Sequence, residues 1–346
     1  MSPLRSVSGE LSRIHRNNHE TIARSSGSYP AVMLGKPLRI CTAALLLLAC
    51  RDTAGTWEPA PPLQHARAAH AVVATSDAIY VFAGTGAGGA PVLPVERFDG
   101  SAWTTVSLLP GAGLNAPAAA VVDDRIYLIG GFDLATNVPG DRVHVYTPAT
   151  DTWTAAAPLP APRGGHAAVV LNARIHVLGG GNDRTTLADH SVYDTQTNAW
   201  TARAALPRAE GSPAAVVHAG KIWAIGGRSG PVDFGEVDIY DPATDTWTAG
   251  PPISPRGTAG ALVVCDAIHV FGGESQARHA SLAEVLRLDP ITATWQPAPA
   301  MPTARNFARA APLHGSVYVV GGSPTPELGH AAAGSVTVER YHHTCP

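Results

Sequence analysis

The chain has 346 residues, of which 45% are hydrophobic and 15% are charged, and its formal net charge is −3. The hydrophobic fraction is ordinary for a folded protein, which excludes disorder along the whole length. The nearly balanced charge provides no basic surface, so we expect no nucleic-acid partner. The 35 glycines and 30 prolines follow no three-residue period, which excludes collagen and indicates many turns between short elements.

The first recognisable element is an apolar run of ten residues at 40–49, preceded by Lys36 and Arg39. Ten helical residues rise about 15 Å, whereas a membrane span needs roughly 30 Å. A short apolar run behind a positive flank is typical of a signal peptide. The run ends in LLAC, with Cys50 last, and resembles the lipobox of bacterial lipoproteins, in which this cysteine carries the lipid.

These features predict three segments. We expect residues 1–32 to be an extension or a misassigned start, residues 33–50 to be a lipoprotein-type signal peptide, and residues 51–346 to form the folded domain. The domain would be a monomer in the bacterial cell envelope, touching the membrane only through a lipid on Cys50. A plain secretory signal with a coincidental cysteine is the alternative.

Residues 51–346 repeat one unit six times. The unit is marked by a tryptophan, at Trp57, Trp103, Trp153, Trp200, Trp247 and Trp295. It is also marked by a Gly-Gly pair, at 130–131, 179–180, 226–227, 272–273 and 321–322, with Ala83-Gly84 in the first copy. Each pair follows an apolar run such as RIYLIGG or AIHVFGG.

This pattern resembles the kelch repeat, in which each unit forms one four-stranded blade of a β-propeller. The resemblance covers residues 57–341 and implies an all-β fold, a single six-bladed kelch-type propeller. Small residues in the first strand of each unit suit this architecture, because the inner strands converge on a central axis.

The N-terminal strand is expected to close the ring. The last unit ends after its third strand, near Tyr341, and lacks an outer strand. Seven residues separate tyrosine from tryptophan in blades 2 and 4, and the same register would align Tyr341 with Trp57. We therefore predict that residues 56–58 complete blade 6, which leaves no free sheet edge.

The cysteines allow two accounts. The predicted closure brings Cys345 near Cys50, and in an exported protein the two could form a disulfide, which would exclude lipidation of Cys50. Cys265 lies in an apolar run and is interpreted as a small buried residue. The tail around His342 and His343 matches no zinc spacing, so we predict no metal and no other cofactor.

Arginine recurs just before the inner strand in five of the six units. The five are Arg67, Arg163, Arg208, Arg256 and Arg305, and blade 2 has Asn115 near this place. In eukaryotic kelch domains that bind acidic peptides, arginines at comparable positions contact ligand carboxylates. The resemblance therefore implies an arginine-lined channel mouth that binds anions. The alternative is that each arginine pairs locally and tightens the ring.

Three residues interrupt the repeat. Glu210 follows Arg208 by two residues, and it could act as a general acid or base or neutralise the neighbouring arginines. Phe307 and Arg309 are the corresponding non-repeating residues of blade 6. The loops after the Gly-Gly pairs differ in every blade, and we expect them to determine specificity.

The favoured function is an exported binding or interaction module that uses one propeller face to bind an acidic protein or an anionic small molecule. The alternative is a sugar mutarotase or epimerase, because bacterial sialic-acid mutarotases are exported six-bladed kelch propellers. Whether the protein is an enzyme stays open. A copper oxidase resembling galactose oxidase is disfavoured, because that family uses seven blades and a Cys-linked tyrosine.

Overall fold

The computed structural model describes residues 55–182, 185–289, 291–326, 333–343 and 345. These residues form six four-stranded antiparallel sheets, and the predicted six-bladed all-β propeller is confirmed. Two short 3₁₀ helices, Ala87–Gly89 and Pro148–Thr150, lie between strands. In the described ranges, no helix has the length and apolar character needed to cross a membrane.

The strands of each blade run from an inner edge at the channel to an outer edge at the rim. In that order, blade 1 contains Ala71–Ala74, Ile79–Phe82, Pro94–Phe98 and Trp103–Leu108. Blade 2 contains Ala118–Val122, Arg125–Ile129, Val143–Thr147 and Thr152–Ala156. Blade 3 contains Ala167–Leu171, Arg174–Leu178, His190–Asp194 and Ala199–Arg203.

The other three blades follow the same order. Blade 4 contains Ala214–His218, Lys221–Ile225, Val237–Asp241 and Thr246–Ala249. Blade 5 contains Gly260–Val264, Ala267–Phe271, Val285–Asp289 and Thr294–Ala298. Blade 6 contains Arg309–Leu313, Ser316–Val320, Val338–His342 and Thr56–Pro59. Three two-stranded ribbons pair Leu114–Asn115 with Phe132–Asp133, Arg228–Ser229 with Val232–Asp233, and Glu274–Ser275 with Ala280–Ser281.

The inner strands of neighbouring blades contact one another around a central channel. They are rich in alanine, valine and glycine, as in Ala118–Val122 and Gly260–Val264. Larger side chains would collide where six strands converge at native packing density. The second and third strands carry the larger apolar residues, and these fill the hydrophobic clusters between adjacent blades.

Each outer strand carries one tryptophan that bridges to the preceding blade. In five blades the indole N–H donates to a main-chain carbonyl just beyond the preceding outer strand: Trp57 to Pro299, Trp103 to Pro61, Trp200 to Ala157, Trp247 to Ala204 and Trp295 to Pro251, at 2.7–2.9 Å. Trp153 donates instead to Ser107 Oγ at 3.1 Å. The repeated tryptophan therefore links blades by a partly buried aromatic surface and a directed hydrogen bond.

The N-terminal strand completes blade 6, as predicted. Thr56–Pro59 pairs antiparallel with Val338–His342 and places Trp57 opposite Tyr341. Blades 2 and 4 show the same tyrosine–tryptophan register. The two rings lie 4.9 Å apart, so the closing strand is held by aromatic packing as well as by its sheet hydrogen bonds.

The cysteine assignment requires two corrections. Cys345 forms a disulfide with Cys265, with a Cα–Cα distance of 5.2 Å, so the alternative account in which it pairs with Cys50 is wrong. The interpretation of Cys265 as a small buried residue is also wrong. Cys265 is half-buried, bonded to Cys345, and lies in the turn between Gly260–Val264 and Ala267–Phe271, with φ 46°. That turn of blade 5 lies next to blade 6, at the point where the C-terminal tail follows Val338–His342. The signal peptide and Cys50 lie outside the described residues.

Candidate binding site in the central channel

One face of the propeller carries the segments that lead into the inner strands and the loops that follow the Gly-Gly pairs, and we call it the loop face. A β-bridge joins these two segments in every blade: Ala68–Thr85, Asn115–Phe132, Gly164–Gly181, Gly211–Arg228, Gly257–Glu274 and Asn306–Ser323. The six bridges are equivalent, so they establish which residues occupy the same place in different blades.

A ring of backbone hydrogen bonds surrounds the channel mouth on this face. The residue after each bridge position has a φ of 50–61°: Ala69, Ala116, Gly165, Ser212, Thr258 and Phe307. At five blade junctions its N–H donates to the equivalent carbonyl of the preceding blade: Ala116 to Ala69, Gly165 to Ala116, Ser212 to Gly165, Thr258 to Ser212 and Phe307 to Thr258, at 2.6–3.2 Å. Left-handed backbone is unfavourable for residues other than glycine, and these bonds help to hold it.

Four of the predicted arginines precede the bridge positions and are fully or almost fully buried: Arg67, Arg163, Arg256 and Arg305. Each Nη1 donates to the carbonyl 16 residues later in the chain, at the first residue of the Gly-Gly pair or its equivalent: Ala83, Gly179, Gly272 and Gly321. These arginines therefore hold the end of the second strand in their own blade.

A carboxylate of the same blade compensates each of these four charges. The pairs are Arg67–Glu96 at 2.9 Å, Arg163–Asp189 at 3.7 Å, Arg256–Glu284 at 2.9 Å and Arg305–Glu339 at 2.6 Å. Burial lowers the pKa of each guanidinium, and the carboxylate opposes that shift. The geometry supports local pairing within the blade. Ligand binding by these arginines stays a prediction.

Blades 2 and 4 require a correction to the predicted alignment. Glu210, not Arg208, occupies the arginine position of blade 4, because it directly precedes the bridge residue Gly211. Arg208 reaches the same place from two residues upstream, with Nε 3.1 Å from Glu210 Oε2 and Nη2 hydrogen-bonded to Asp238. In blade 2 the arginine position is Leu114, and the predicted binding residue Asn115 is buried at the bridge position.

Glu210 is the most electrostatically perturbed carboxyl in this part of the fold. Only 1% of the residue is exposed, and apart from the ion pair with Arg208 neither carboxyl oxygen has a well-aligned hydrogen-bond donor among the described residues. Burial raises the pKa of Glu210 to about 8; Arg208 opposes the shift, whereas Asp238 and Glu236 add to it. The carboxyl is therefore largely protonated at neutral pH. A catalytic function for Glu210 stays a prediction, since its oxygens are buried.

The channel contains a cavity of about 150 Å³ walled by residues of all six inner strands and the segments just before them. Most of the wall is alanine, glycine, valine and proline. Two polar side chains line it, His166 from the segment leading into blade 3 and Arg309 from the first position of the inner strand of blade 6. The cavity therefore combines a wall of small residues with two nitrogen-bearing side chains.

Arg309 differs from the blade arginines because no carboxylate pairs with it among the described residues. Its Nη1 donates to the carbonyls of Thr258 and Ala308, both at 3.3 Å. Burial lowers the pKa of Arg309 to about 10, so the group stays charged at neutral pH. Burial, together with Arg163, lowers the pKa of His166 to about 3, so this ring is neutral. The cavity therefore has a net positive charge.

Phe307 lies at the loop-face end of this cavity. Its side chain is fully buried and packs with Ala68, Ala69 and Ala116 of blades 1 and 2. The guanidinium of Arg228 lies 5.9 Å from the ring centroid. The ring thus extends from blade 6 to residues of blades 1 and 2 at the mouth, so the structure places this predicted contact residue in a buried packing position.

Arg309 is non-repeating in the sequence, yet the predicted binding site does not include it. The sequence contains a feature that could have identified it: Arg309 is the one arginine or lysine within the six inner strands. The prediction rested instead on the repeated arginines, although repetition is equally compatible with a binding ring and with a structural pair.

The kelch-repeat family model named "KLHDC2/KLHL20/DRC7 Kelch-repeats domain" matches residues 47–205 and 118–322. The chain is 31% identical to Kelch-like protein 38 of Rattus norvegicus over 152 residues, which is 43% of this chain and 25% of that protein. It is 34% identical to N-acetylneuraminate epimerase of Haemophilus influenzae (strain PittEE) over 114 residues, which is 31% of this chain and 29% of that protein.

The match therefore spans a quarter to under a third of the length of these curated relatives. The solved structure of YjhT superposes with a TM-score of 0.69 and 17% sequence identity. The superposition covers 81% of this chain and 95% of that one. At this identity the likeness concerns the fold alone.

Proposed function

Because this chain belongs to the kelch-repeat family, a propeller architecture that supports interaction modules, we propose that it is a binding module whose central channel takes the anionic group of an acidic ligand. The observation that carries the proposal is Arg309. It is a charged guanidinium lining a cavity, and it has no carboxylate partner among the described residues. A carboxylate, sulfate or phosphate would supply the missing countercharge and accept its hydrogen bonds.

The size of the cavity limits what can enter. A dry cavity of about 150 Å³ in another protein accommodates benzene, and the channel cavity has a similar volume. A carboxylate or sulfate with a few attached carbons would fit. A whole sugar or peptide would not, so the rest of the ligand would lie outside the cavity, against the variable loops.

Phe307 controls the approach from the loop face. Its φ of 50° is unfavourable for a residue with a side chain, so the native position of the ring depends on its contacts with the alanines across the mouth. A ligand entering from this face would displace the ring. The loops around the mouth would add contacts, and Val138 and Val232 are each 56% exposed there.

The test is a calorimetric titration and a thermal-shift assay of the purified protein with inorganic sulfate, N-acetylneuraminate and an acidic peptide. At least one anion should raise the melting temperature of the parent protein and of Arg174→Gln, a matched control in an exposed pair with Asp194. Arg309→Gln should bind it at least tenfold more weakly, because a charge-assisted hydrogen bond contributes roughly 1.5–3 kcal/mol. Equal binding by Arg309→Gln would refute the proposal.

Export to the cell envelope with a lipid on Cys50 belongs to the same proposal. The Cys265–Cys345 disulfide supports export, because disulfides persist in oxidising compartments. Because Cys345 is bonded to Cys265, it does not form the alternative disulfide with Cys50, and Cys50 stays available for lipidation. Mass spectrometry of the membrane-extracted protein should find an N-terminal lipid-modified Cys50. An unmodified N-terminus upstream of that residue would exclude the lipid anchor.

A second candidate is mutarotase activity on an anionic sugar. It is favoured by the raised pKa of Glu210, about 8, since a carboxyl that titrates near neutral pH suits proton transfer. An anionic sugar would also supply the carboxylate that Arg309 lacks. In an NMR anomer-exchange assay with N-acetylneuraminate, Glu210→Gln should remove the acceleration and keep binding. If the parent protein binds N-acetylneuraminate without accelerating anomer exchange, the mutarotase candidate is excluded and the binding module is retained.

A further inference from the structure

The disulfide belongs to a three-residue cluster on the side of the propeller opposite the loop face. Cys265, His343 and Cys345 each offer one ligand atom, and these atoms lie within 4.8 Å of one another. Cys265 comes from a hairpin turn in blade 5, and the other two come from the tail after Val338–His342 in blade 6. Because one ligand lies 80 residues upstream of the tail, no local zinc spacing appears in the sequence.

The donor set and its spacing match a zinc site after one change. In a tetrahedral site with Zn–S near 2.3 Å and Zn–N near 2.0–2.1 Å, neighbouring donor atoms lie about 3.5–4 Å apart. Once the sulfur–sulfur bond is broken, the two sulfurs can separate to that distance while His343 stays beside them.

The imidazole of His343 is suited to ligation. Its Nδ1 is buried and makes no well-aligned hydrogen bond with the described residues. An imidazole binds a metal through an unprotonated ring nitrogen, and one nitrogen of this ring lies within 4.8 Å of both sulfurs. Cys345 is exposed, so a reductant can reach the disulfide.

We propose that reduction of the Cys265–Cys345 disulfide creates a zinc site formed by Cys265, His343 and Cys345. A dithiol reductant gives two electrons and two protons to the disulfide and becomes a disulfide itself, leaving two thiols. Zinc then displaces the two thiol protons and binds both thiolates and the imidazole, and a water completes the tetrahedron.

The site would connect the same two elements as the disulfide. In the oxidised protein a covalent bond links the blade 5 turn to the tail next to the closing strand. In the reduced protein zinc would link the same turn and tail, so the junction between blades 5 and 6 would be cross-linked in both redox states. Metal binding to the folded state alone stabilises it by mass action.

The experiment uses full-length protein carrying Cys41→Ser and Cys50→Ser, which removes the other two thiols. The protein is reduced with a phosphine, freed of reductant and titrated with Co²⁺ and then Zn²⁺. We expect one equivalent of Co²⁺ with thiolate charge-transfer and tetrahedral d–d absorption, displaced by Zn²⁺. Zinc should raise the melting temperature of the reduced protein and leave that of the oxidised protein unchanged.

Two substitutions distinguish the site from adventitious binding. His343→Asn should weaken zinc binding at least tenfold and reduce the d–d intensity. The adjacent His342→Asn is the matched control, since His342 Nε2 lies 2.7 Å from Glu58, and it should bind like the parent. Absence of metal binding by the reduced protein, or equal affinity in His343→Asn, would overturn the proposal.

Discussion

The arginines inside the blades and the arginine in the channel are the same residue type in opposite electrostatic settings. Arg67 and Arg305 are fully buried and paired with carboxylates of their own blades. Arg309 lines a cavity, and within the described part of the chain it donates only to backbone carbonyls. Burial and repetition therefore identify the residues that hold the blades together, whereas an uncompensated charge identifies the candidate binding position.

The largest effect should come from breaking a blade pair. Arg67→Met leaves Glu96 buried without its guanidinium, and removal of one partner of a buried ion pair destabilises by about 3–5 kcal/mol. Urea denaturation should show this loss in the free energy of unfolding. The double variant Arg67→Met/Glu96→Leu should recover most of it, since no unpaired charge remains. A single variant as stable as the parent would mean that the pair does not hold the blade.

An intermediate effect should appear in blade 4, where a carboxyl replaces the arginine. The pKa of Glu210 is about 8 in the folded protein, above the ordinary glutamate value of 4.5 that we take for the unfolded chain. Between these values the folded state binds more protons, so the free energy of unfolding falls as pH rises. The fall is at most roughly 1.4 kcal/mol per pH unit.

Glu210→Gln should remove this dependence, matching the parent near pH 5 and exceeding its stability near pH 8. Chemical denaturation at several pH values measures the difference. Asp124→Asn, which changes an exposed carboxyl in a turn of blade 2, is the control and should leave the slope almost unchanged. Parallel curves for the parent and Glu210→Gln would show that Glu210 titrates normally.

The smallest effect on stability should come from the channel. Arg309→Met removes a desolvated charge without orphaning a carboxylate, so the free energy of unfolding should change by less than about 1 kcal/mol or rise slightly. The same variant should lose anion binding, which separates a binding residue from a blade residue. A loss as large as that of Arg67→Met would place Arg309 with the structural arginines.

Periodic features of the fold were predictable. The tryptophans and Gly-Gly pairs recur in the sequence because each blade must solve the same packing problem. The number of units followed from their spacing, and the strand order of a blade followed from the resemblance to the kelch repeat. The Trp57–Tyr341 register also followed, since blades 2 and 4 show the same seven-residue separation, and the structure shows it in blade 3 as well.

Departures from the repeat were harder to predict. Arg208 reaches the arginine position from two residues upstream, and only the bridge between Gly211 and Arg228 shows that Glu210 occupies that position. The Cys265–Cys345 bond depends on a contact between neighbouring blades, and sequence spacing contains no such information. Phe307 is predicted from the sequence as a ligand contact, yet its ring is in a buried packing position.

The closing strand has a consequence for the order of synthesis. Glu58 pairs with Arg340 across 282 residues, so Thr56–Pro59 is made early and has no sheet partner until almost the whole chain has emerged. The entropy of closing so long a loop grows only with the logarithm of its length, yet contacts this distant form late and slowly. Until that partner is made, Thr56–Pro59 is an unpaired strand, so a ribosome-bound or partly translocated chain presents its open edge to chaperones and to other chains.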